Sequence, residues 1–155
     1  MAKTSKYRDC LRTGKWSPEQ YFIWLAGEGN ASLEREAVAA FNVWIVVRDG
    51  KCLRCGKTEN LTCSHFWTSK RKNTKFDEEN CICACNGCHL FVMEKEKQGE
   101  YTDIMLELLG PEKMEALKLR AQESKRMYAP DYVDVITASY QKVVDKLGSI
   151  VRIRS

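Results

Sequence analysis

Residues with metal-binding and acid–base chemistry are concentrated in one short part of this chain. Seven of the eight cysteines and both histidines lie between positions 52 and 89. The cysteines are Cys52, Cys55, Cys63, Cys81, Cys83, Cys85 and Cys88, and the histidines are His65 and His89. Zinc prefers thiolate and imidazole ligands, and an imidazole also accepts protons near neutral pH. This stretch therefore indicates hydrolytic chemistry next to a structural metal.

The spacing of four cysteines predicts a structural zinc site. Cys52 and Cys55 form one Cys-x-x-Cys pair, and Cys85 and Cys88 form a second. Two such pairs can complete a tetrahedral site made only of sulfur. A site of this kind contributes folding free energy directly, in a region with few apolar residues.

Other ligand sets remain open at this point. Cys81 and Cys83 are near enough in sequence to replace one pair, although we favour buried thiols at both positions. Cys63 and Cys10 are also interpreted as unligated thiols, because free cysteine behaves as a small buried apolar residue.

The positions of the two histidines bear on whether this region is only a structural zinc module or also a catalytic site. His65 lies on a predicted short strand, Leu61–Phe66, and His89 directly follows the last zinc cysteine at the start of a predicted helix. If zinc joins the two cysteine pairs, strand and helix must pack together, and both imidazoles can face one cleft. Neutral His65 could then deprotonate water, while His89 could hold a divalent ion. The alternative is that one histidine is a zinc ligand or a surface residue.

Composition limits the class of protein. The 155 residues are 44% apolar and 30% charged, which favours one compact domain or a small central module with helical flanks. The densest apolar runs are too short to span a bilayer, and no apolar segment follows the basic N-terminus as in a secretory signal. We therefore expect a cytoplasmic protein whose cysteines are metal ligands and reduced thiols.

The net charge of +4 is unevenly distributed. A basic loop after His65 carries four cations, which are Lys70, Arg71, Lys72 and Lys75. Because this loop adjoins the candidate site, it favours a phosphate-bearing partner. The alternative is an ordinary solvated loop.

Helix signals divide the chain into segments. We expect a flexible basic arm (1–16), an N-terminal helical segment (17–50), a zinc-bound module (51–99) and a C-terminal helical segment (100–155). Helices are predicted from Ser17 to about Ala26, from Ser32 to Asp49, from His89 to Gly99, and over 100–109, 111–128 and 132–147. The predicted fold class is α+β, with a small zinc-stapled module embedded in mainly α-helical flanks.

The run Asn80-x4-Cys85-x2-Cys88-His89, preceded by His65 and the first cysteine pair, resembles the HNH (ββα-metal) nucleases. Within that family, Leu61–Phe66, Arg71 and the run from Lys75 to Asn80 resemble the phage recombination nucleases of the NinG (Rap) type. The resemblance covers roughly residues 51 to 110.

The resemblance implies a role for each matching residue. His65 would be the general base, Asn80 would hold the loop and the His65 backbone, and His89 would bind a catalytic divalent ion such as Mg²⁺ or Mn²⁺. The four cysteines would hold structural zinc. Many HNH nucleases have an acidic ligand before the base, where this chain has Ser64. The cation would then keep more water ligands or recruit Asp77 or Glu78, and the alternative is that these two are ordinary loop or helix-start carboxylates.

The resulting hypothesis is a metal-dependent DNA endonuclease that hydrolyses phosphodiester bonds, with branched or recombination-intermediate DNA as the leading substrate. Lys70, Arg71, Lys72 and Lys75 would bind the DNA backbone. A junction cutter makes two cuts, so a homodimer is expected as well. Two alternatives remain: a sequence-specific HNH nuclease of restriction or homing type, and a non-catalytic zinc module that binds nucleic acid or protein.

Overall fold

The computed structural model describes residues 30–67, 72–93 and 98–154. The predicted basic arm, the first predicted helix, and Lys70 and Arg71 lie outside the described residues. The described elements are, in chain order, α1 (Asn30–Asp49), β1 (Leu61–His65), α2 (Lys72–Lys75), a 3₁₀ turn (Glu78–Asn80), β2 (Cys81–Cys85), α3 (Asn86–Met93), α4 (Gln98–Leu109), α5 (Pro111–Gln122) and α6 (Ala129–Arg154). Helices combined with a small two-stranded sheet confirm the predicted α+β class in its coarse form.

The described residues divide into two compact units. One unit contains residues 30–47 and 127–154, and the other contains Arg48–Arg126. None of the described helices is both long enough and apolar enough to cross a membrane.

In the first unit, α6 buries one stripe of side chains, whereas α1 buries a wider part of its surface. The buried residues of α1 are Leu33, Glu36, Ala37, Ala39, Ala40, Phe41 and Ile45, and those of α6 are Tyr132, Ile136, Ser139 and Val143. The α6 residues are three to four apart, as on one helical face, while those of α1 include directly adjacent positions. The ammonium group of Lys142 on α6 lies 6.0 Å from the ring centroid of Trp44 on α1. The helix α1 ends where the sequence predicts, because Gly50 has φ of +71° and accepts the left-handed conformation that follows a helix.

Several predicted helix limits are wrong. Gly99 does not end a helix but lies inside α4, and the helix predicted over 111–128 is Pro111–Gln122. Gly148 does not end α6, which continues to Arg154, because one glycine inside a helix costs only about 1 kcal/mol relative to alanine. The start of α6 at Ala129 also precedes the predicted start, since Pro130 is tolerated in a first helical turn.

The second unit is built around an antiparallel hairpin of β1 and β2. Its register pairs Leu61 with Cys85, Cys63 with Cys83, and His65 with Cys81. The helix α3 packs on both strands, α4 packs on α3, and α5 packs on α4 and on α2. All five residues of β2 are buried, so both faces of this strand are covered. A ββα arrangement thus carries both candidate histidines.

One face of the hairpin packs on an apolar core. Its fully buried members are Ile82, Tyr101, Met105 and Leu117. The Tyr101 hydroxyl also donates to the carbonyl of Ser64 at 3.0 Å. This hydrogen bond joins α4 to β1 at the residue directly before His65. The helix α4 therefore helps to hold the strand that carries the candidate base.

We expect Leu117→Ala to destabilise the protein by about 2–5 kcal/mol, because Leu117 is 0% exposed and its loss leaves a cavity in this core. The matched control is Leu119→Ala on the same helix, where the side chain is 56% exposed and the change in helix propensity is identical. Urea unfolding of both variants provides the measurement. Equal destabilisation by the two substitutions would contradict the assigned core.

Candidate metal centre and active site

Four sulfur atoms converge at the end of the hairpin where β1 begins and β2 ends. The ligand atoms of Cys52, Cys55, Cys85 and Cys88 all lie within 4.8 Å of one another. The Cys55 and Cys85 sulfurs are 3.7 Å apart. Zinc–sulfur bonds of about 2.3 Å in a tetrahedron place sulfurs about 3.8 Å apart. The predicted ligand set is therefore brought together at a spacing that could hold a metal such as zinc.

Hydrogen bonds of the local backbone fix the positions of both cysteine pairs. In the first pair, the Gly56 amide donates to the Cys52 carbonyl at 2.9 Å, and the Cys52 amide donates to the Lys57 carbonyl at 2.8 Å. Gly56 has φ of +81°, a conformation that residues with a Cβ rarely adopt. In the second pair, Cys85 ends β2 and Cys88 lies in the first turn of α3, where its amide donates to the Cys85 sulfur at 3.4 Å. Helix N-termini favour negative charge, so this position suits a thiolate.

The electrostatics of the cluster fit a cation at its centre. Burial raises the pKa of Cys52, but hydrogen bonds with backbone groups of the turn outweigh it and bring the pKa to about 6. Burial raises the pKa of Cys88 to about 12 despite the opposing guanidinium of Arg54, whose Nη1 lies 3.4 Å from the Cys88 sulfur. Thiols this close cannot all ionise without a compensating positive charge. A divalent ion would supply that charge. Arg54, whose Nε donates to Glu100 Oε1 at 2.7 Å, would offset part of the negative charge that four thiolates still carry around a divalent ion.

His65 ends β1 with one ring nitrogen already committed. Its Nε2 lies 2.8 Å from the carbonyl oxygen of Lys75. Because a carbonyl only accepts, Nε2 carries the hydrogen in the neutral ring and the lone pair resides on Nδ1. Burial lowers the pKa of His65, and the nearby positive charges of Lys75 and His89 lower it further against the effect of the Lys75 hydrogen bond. The ring is therefore neutral at pH 7, as a general base must be.

His89 lies in the first turn of α3, immediately after Cys88. Its side chain is half-buried, and burial lowers its pKa. A positive charge on His89 would lower the pKa of His65. A neutral imidazole at this position retains a lone pair for a metal ion. That the two imidazoles face one cleft stays a prediction.

Asn80 is fully buried and ties together the two ends of the loop after β1. Its Oδ1 accepts from the amide of Trp67 at 2.8 Å, and its Nδ2 donates to the carbonyls of Trp67 at 3.0 Å and Thr74 at 2.9 Å. Its own carbonyl accepts from the amide of Phe66 at 2.8 Å. Asn80 therefore holds the backbone directly after His65 and the segment whose Lys75 carbonyl orients the imidazole.

The acidic substitutes suggested by the sequence have other contacts. Asp77 Oδ1 accepts from the Glu79 amide at 3.0 Å and so caps the 3₁₀ turn, while Oδ2 accepts from Arg120 Nε at 2.8 Å. Both Asp77 oxygens are thus engaged. Glu78 contributes its backbone carbonyl to Arg48 Nη1 at 2.8 Å. Ser64 is buried on the strand face opposite His65, because neighbouring strand residues alternate between faces.

The basic loop is only partly described. Lys70 and Arg71 lie outside the described residues, and for Lys72 only the backbone, in α2, is described. The Lys75 ammonium lies 5.7 Å from the ring centroid of Phe76, and its carbonyl orients His65. A phosphate-binding role for these cations stays a prediction.

A second group of possible metal ligands combines His65 with two cysteines that the sequence prediction did not assign to a metal. The ligand atoms of Cys63, His65 and Cys81 lie within 4.8 Å of one another. The sequence predicts buried unligated thiols at Cys63 and Cys81, and both are indeed buried. The available signal was the Cys-x-His spacing, since residues two apart on a strand face the same side.

No protein-family model matches this chain, and no curated protein or solved structure is significantly similar to it. Three features of the described residues bear on the chemistry of the site. They are a sulfur cluster that could hold a metal such as zinc, a buried asparagine that organises a loop, and a histidine with one ring nitrogen bonded to a backbone carbonyl.

We expect Cys85→Ser to lower the tightly bound zinc by about one ion per chain and to remove cooperative unfolding of the Arg48–Arg126 unit. Structural zinc contributes apparent binding free energies of about 10–16 kcal/mol, which are lost with a ligand. Cys83→Ser is the matched control, because Cys83 is a buried thiol on the same strand and belongs to neither ligand group among the described residues. Elemental analysis after dialysis measures the zinc content. An unchanged content in Cys85→Ser would rule out the assigned ligand set.

Proposed function

We propose that this protein is a metal-dependent DNA endonuclease of the HNH type, with His65 as the general base that activates water. The observation that carries the proposal is the orientation of His65. Its Nε2 bond to the Lys75 carbonyl assigns the lone pair to Nδ1, in a ring that burial keeps neutral. That ring lies at the end of a strand whose partner strand and helix carry a candidate zinc cluster and His89.

In the proposed reaction, Nδ1 of His65 takes a proton from water, and the resulting hydroxide attacks phosphorus. The bond from phosphorus to the 3′ oxygen then breaks. The leaving oxygen takes a proton from water, and His65 releases its proton to solvent. The Lys75 carbonyl would favour the imidazolium form, because it accepts from Nε2–H throughout. Positioned general bases of this kind contribute typically about 10²–10⁴-fold to the rate.

His89 is the proposed protein ligand of a catalytic divalent ion. When bound, such an ion would offset negative charge on the phosphate and on the leaving oxygen. Asp77 is left out of the proposed ligand set because its oxygens cap a turn and bind Arg120. A site with one imidazole and oxygen ligands from water and substrate favours Mn²⁺, Co²⁺ or Ni²⁺ over Mg²⁺ in vitro, since magnesium prefers oxygen ligands.

Asn80 is proposed as a positioning residue. It bonds to Trp67 on one side of the loop and to Thr74 on the other, so its loss would release the segment that carries the Lys75 carbonyl. The same loop supplies the cations proposed to bind the DNA backbone, which are Lys70, Arg71, Lys72 and Lys75. The loop would thus join substrate binding to orientation of the base. Branched DNA is the proposed substrate, because contacts to the phosphate backbone depend on the shape of the DNA and not on its base sequence.

We expect His65→Ala to lower cleavage of plasmid and junction DNA in Mn²⁺ by at least about 10²-fold, because it removes the proton acceptor. His65→Gln is the informative partner, since a glutamine amide can still donate to the Lys75 carbonyl but has no basic lone pair. Both variants should be equally inactive and should keep the zinc ion of the four-cysteine cluster. Wild type that cuts no DNA in Mn²⁺, Mg²⁺ or Co²⁺, or variants as active as wild type, would overturn the proposal.

We expect Lys70→Ala with Arg71→Ala to weaken DNA binding and to reduce the slope of log Kobs against log salt by about 0.9 for each DNA phosphate that the variant no longer neutralises. The matched control is Lys113→Ala with Lys118→Ala, two exposed cations of α5 whose removal changes the net charge equally. Fluorescence anisotropy over a range of salt concentrations, in Ca²⁺ or EDTA to prevent cleavage, provides both slopes. Equal slopes in the two double variants would exclude the loop as the DNA-binding surface.

A further inference from the structure

A second group of soft ligands lies at the opposite end of β2 from the four-cysteine cluster. Cys63, His65 and Cys81 each offer an atom within 4.8 Å of the other two. Cys81 and Cys85 are the two ends of one five-residue strand, so their Cα atoms are about 13 Å apart at about 3.3 Å per residue. The second group therefore cannot share a metal ion with the first.

The hairpin register is the reason that these three side chains meet. His65 is paired directly with Cys81, and Cys63 precedes His65 by two residues, so all three lie on one face. Cys63 and Cys81 are buried, and their side chains are hydrogen-bonded to each other. Backbone ladder bonds hold this geometry without a metal, so a ligand set is already assembled.

We propose that Cys63, Cys81 and His65 bind a second thiophilic divalent ion, such as Zn²⁺, and that its occupancy inhibits the enzyme by engaging the lone pair of His65. The inhibitory part rests on the proposed nuclease function, and the binding part does not. Two thiolates and one imidazole are soft ligands that select zinc over magnesium or manganese. Three protein ligands leave a fourth tetrahedral position for water.

The charge balance suits a buried position. Zn²⁺ displaces the two thiol protons, which pass to solvent, and two thiolates with a neutral imidazole leave the occupied site without net charge. A neutral site avoids the large cost of burying an uncompensated ion. Arg48 assists, because its Nη2 donates to the Cys81 carbonyl at 2.7 Å and places positive charge beside the emerging thiolate. Occupancy and catalysis exclude each other, since Nε2 of His65 is bonded to Lys75 and the ring has only one lone pair.

Metal stoichiometry tests the binding part. The full chain, stripped with chelator, reloaded with excess Zn²⁺ and passed through a desalting column, should retain two zinc ions per chain. Cys63→Ala and Cys81→Ala should each retain one, whereas Cys83→Ala, a buried thiol on the same face, should retain two. Replacing Zn²⁺ with Co²⁺ should show the same loss as a decrease in thiolate-to-cobalt absorption. One ion in the wild type, or two in both Cys63→Ala and Cys81→Ala, would overturn the inference. The wild-type value decides the matter if either variant does not fold.

Inhibition tests the regulatory part. With Mn²⁺ held constant, increasing Zn²⁺ should inhibit DNA cleavage by the wild type, and Cys63→Ala should require at least tenfold more Zn²⁺ for the same inhibition. Equal sensitivity of Cys63→Ala and wild type would overturn this part. Loss of all cleavage in every metal would instead refute the proposed nuclease, while the stoichiometry would still decide the binding site.

Discussion

The antiparallel register of β1 and β2 is the constraint on which the rest of the Arg48–Arg126 unit depends. It pairs Leu61 with Cys85 at one end and His65 with Cys81 at the other. A shift of one residue would turn every side chain of a strand to the opposite face. His65 would then point into the apolar core instead of towards Cys81. The sulfur cluster, the base and the second ligand group all follow from this one alignment.

Contacts at both ends of the hairpin maintain that alignment. At the closed end, Asn80 accepts from Trp67 and donates to Thr74, so the long connection cannot slide. At the open end, the Asn86 amide donates to the Asn60 carbonyl at 2.9 Å, next to the four cysteines. A metal there would link the turn before β1, which carries Cys52 and Cys55, to the end of β2 and the start of α3. The polar network and the sulfur cluster therefore act on the same register from opposite ends.

Sequence reasoning succeeds here where the signal is local and fails where it depends on tertiary packing. Two Cys-x-x-Cys pairs specify a ligand set, because a spacing of two residues alone places both thiols on one turn. The strand Cys81–Cys85 carries no comparable signal, since both of its faces are buried and it shows no alternation of polar and apolar residues. Asp77 is suggested by sequence as a metal ligand, yet its contact with Arg120 involves a helix more than forty residues later, which no local pattern reveals.

At the end of β1, His65 takes part in both proposals, as the general base and as a zinc ligand. Along β1, alternation places Cys63 and His65 on one face and Ser64 on the other, where Tyr101 holds the Ser64 carbonyl. The imidazole therefore has a rigid backbone, a fixed donor bond to Lys75 and thiols beside it. A histidine exposed to solvent would have none of these restraints, and its lone pair would accept hydrogen bonds only from water. Here the same geometry that keeps the ring neutral also brings soft ligands within reach of a metal, so the strand that orients the proposed base would also expose it to competition by zinc.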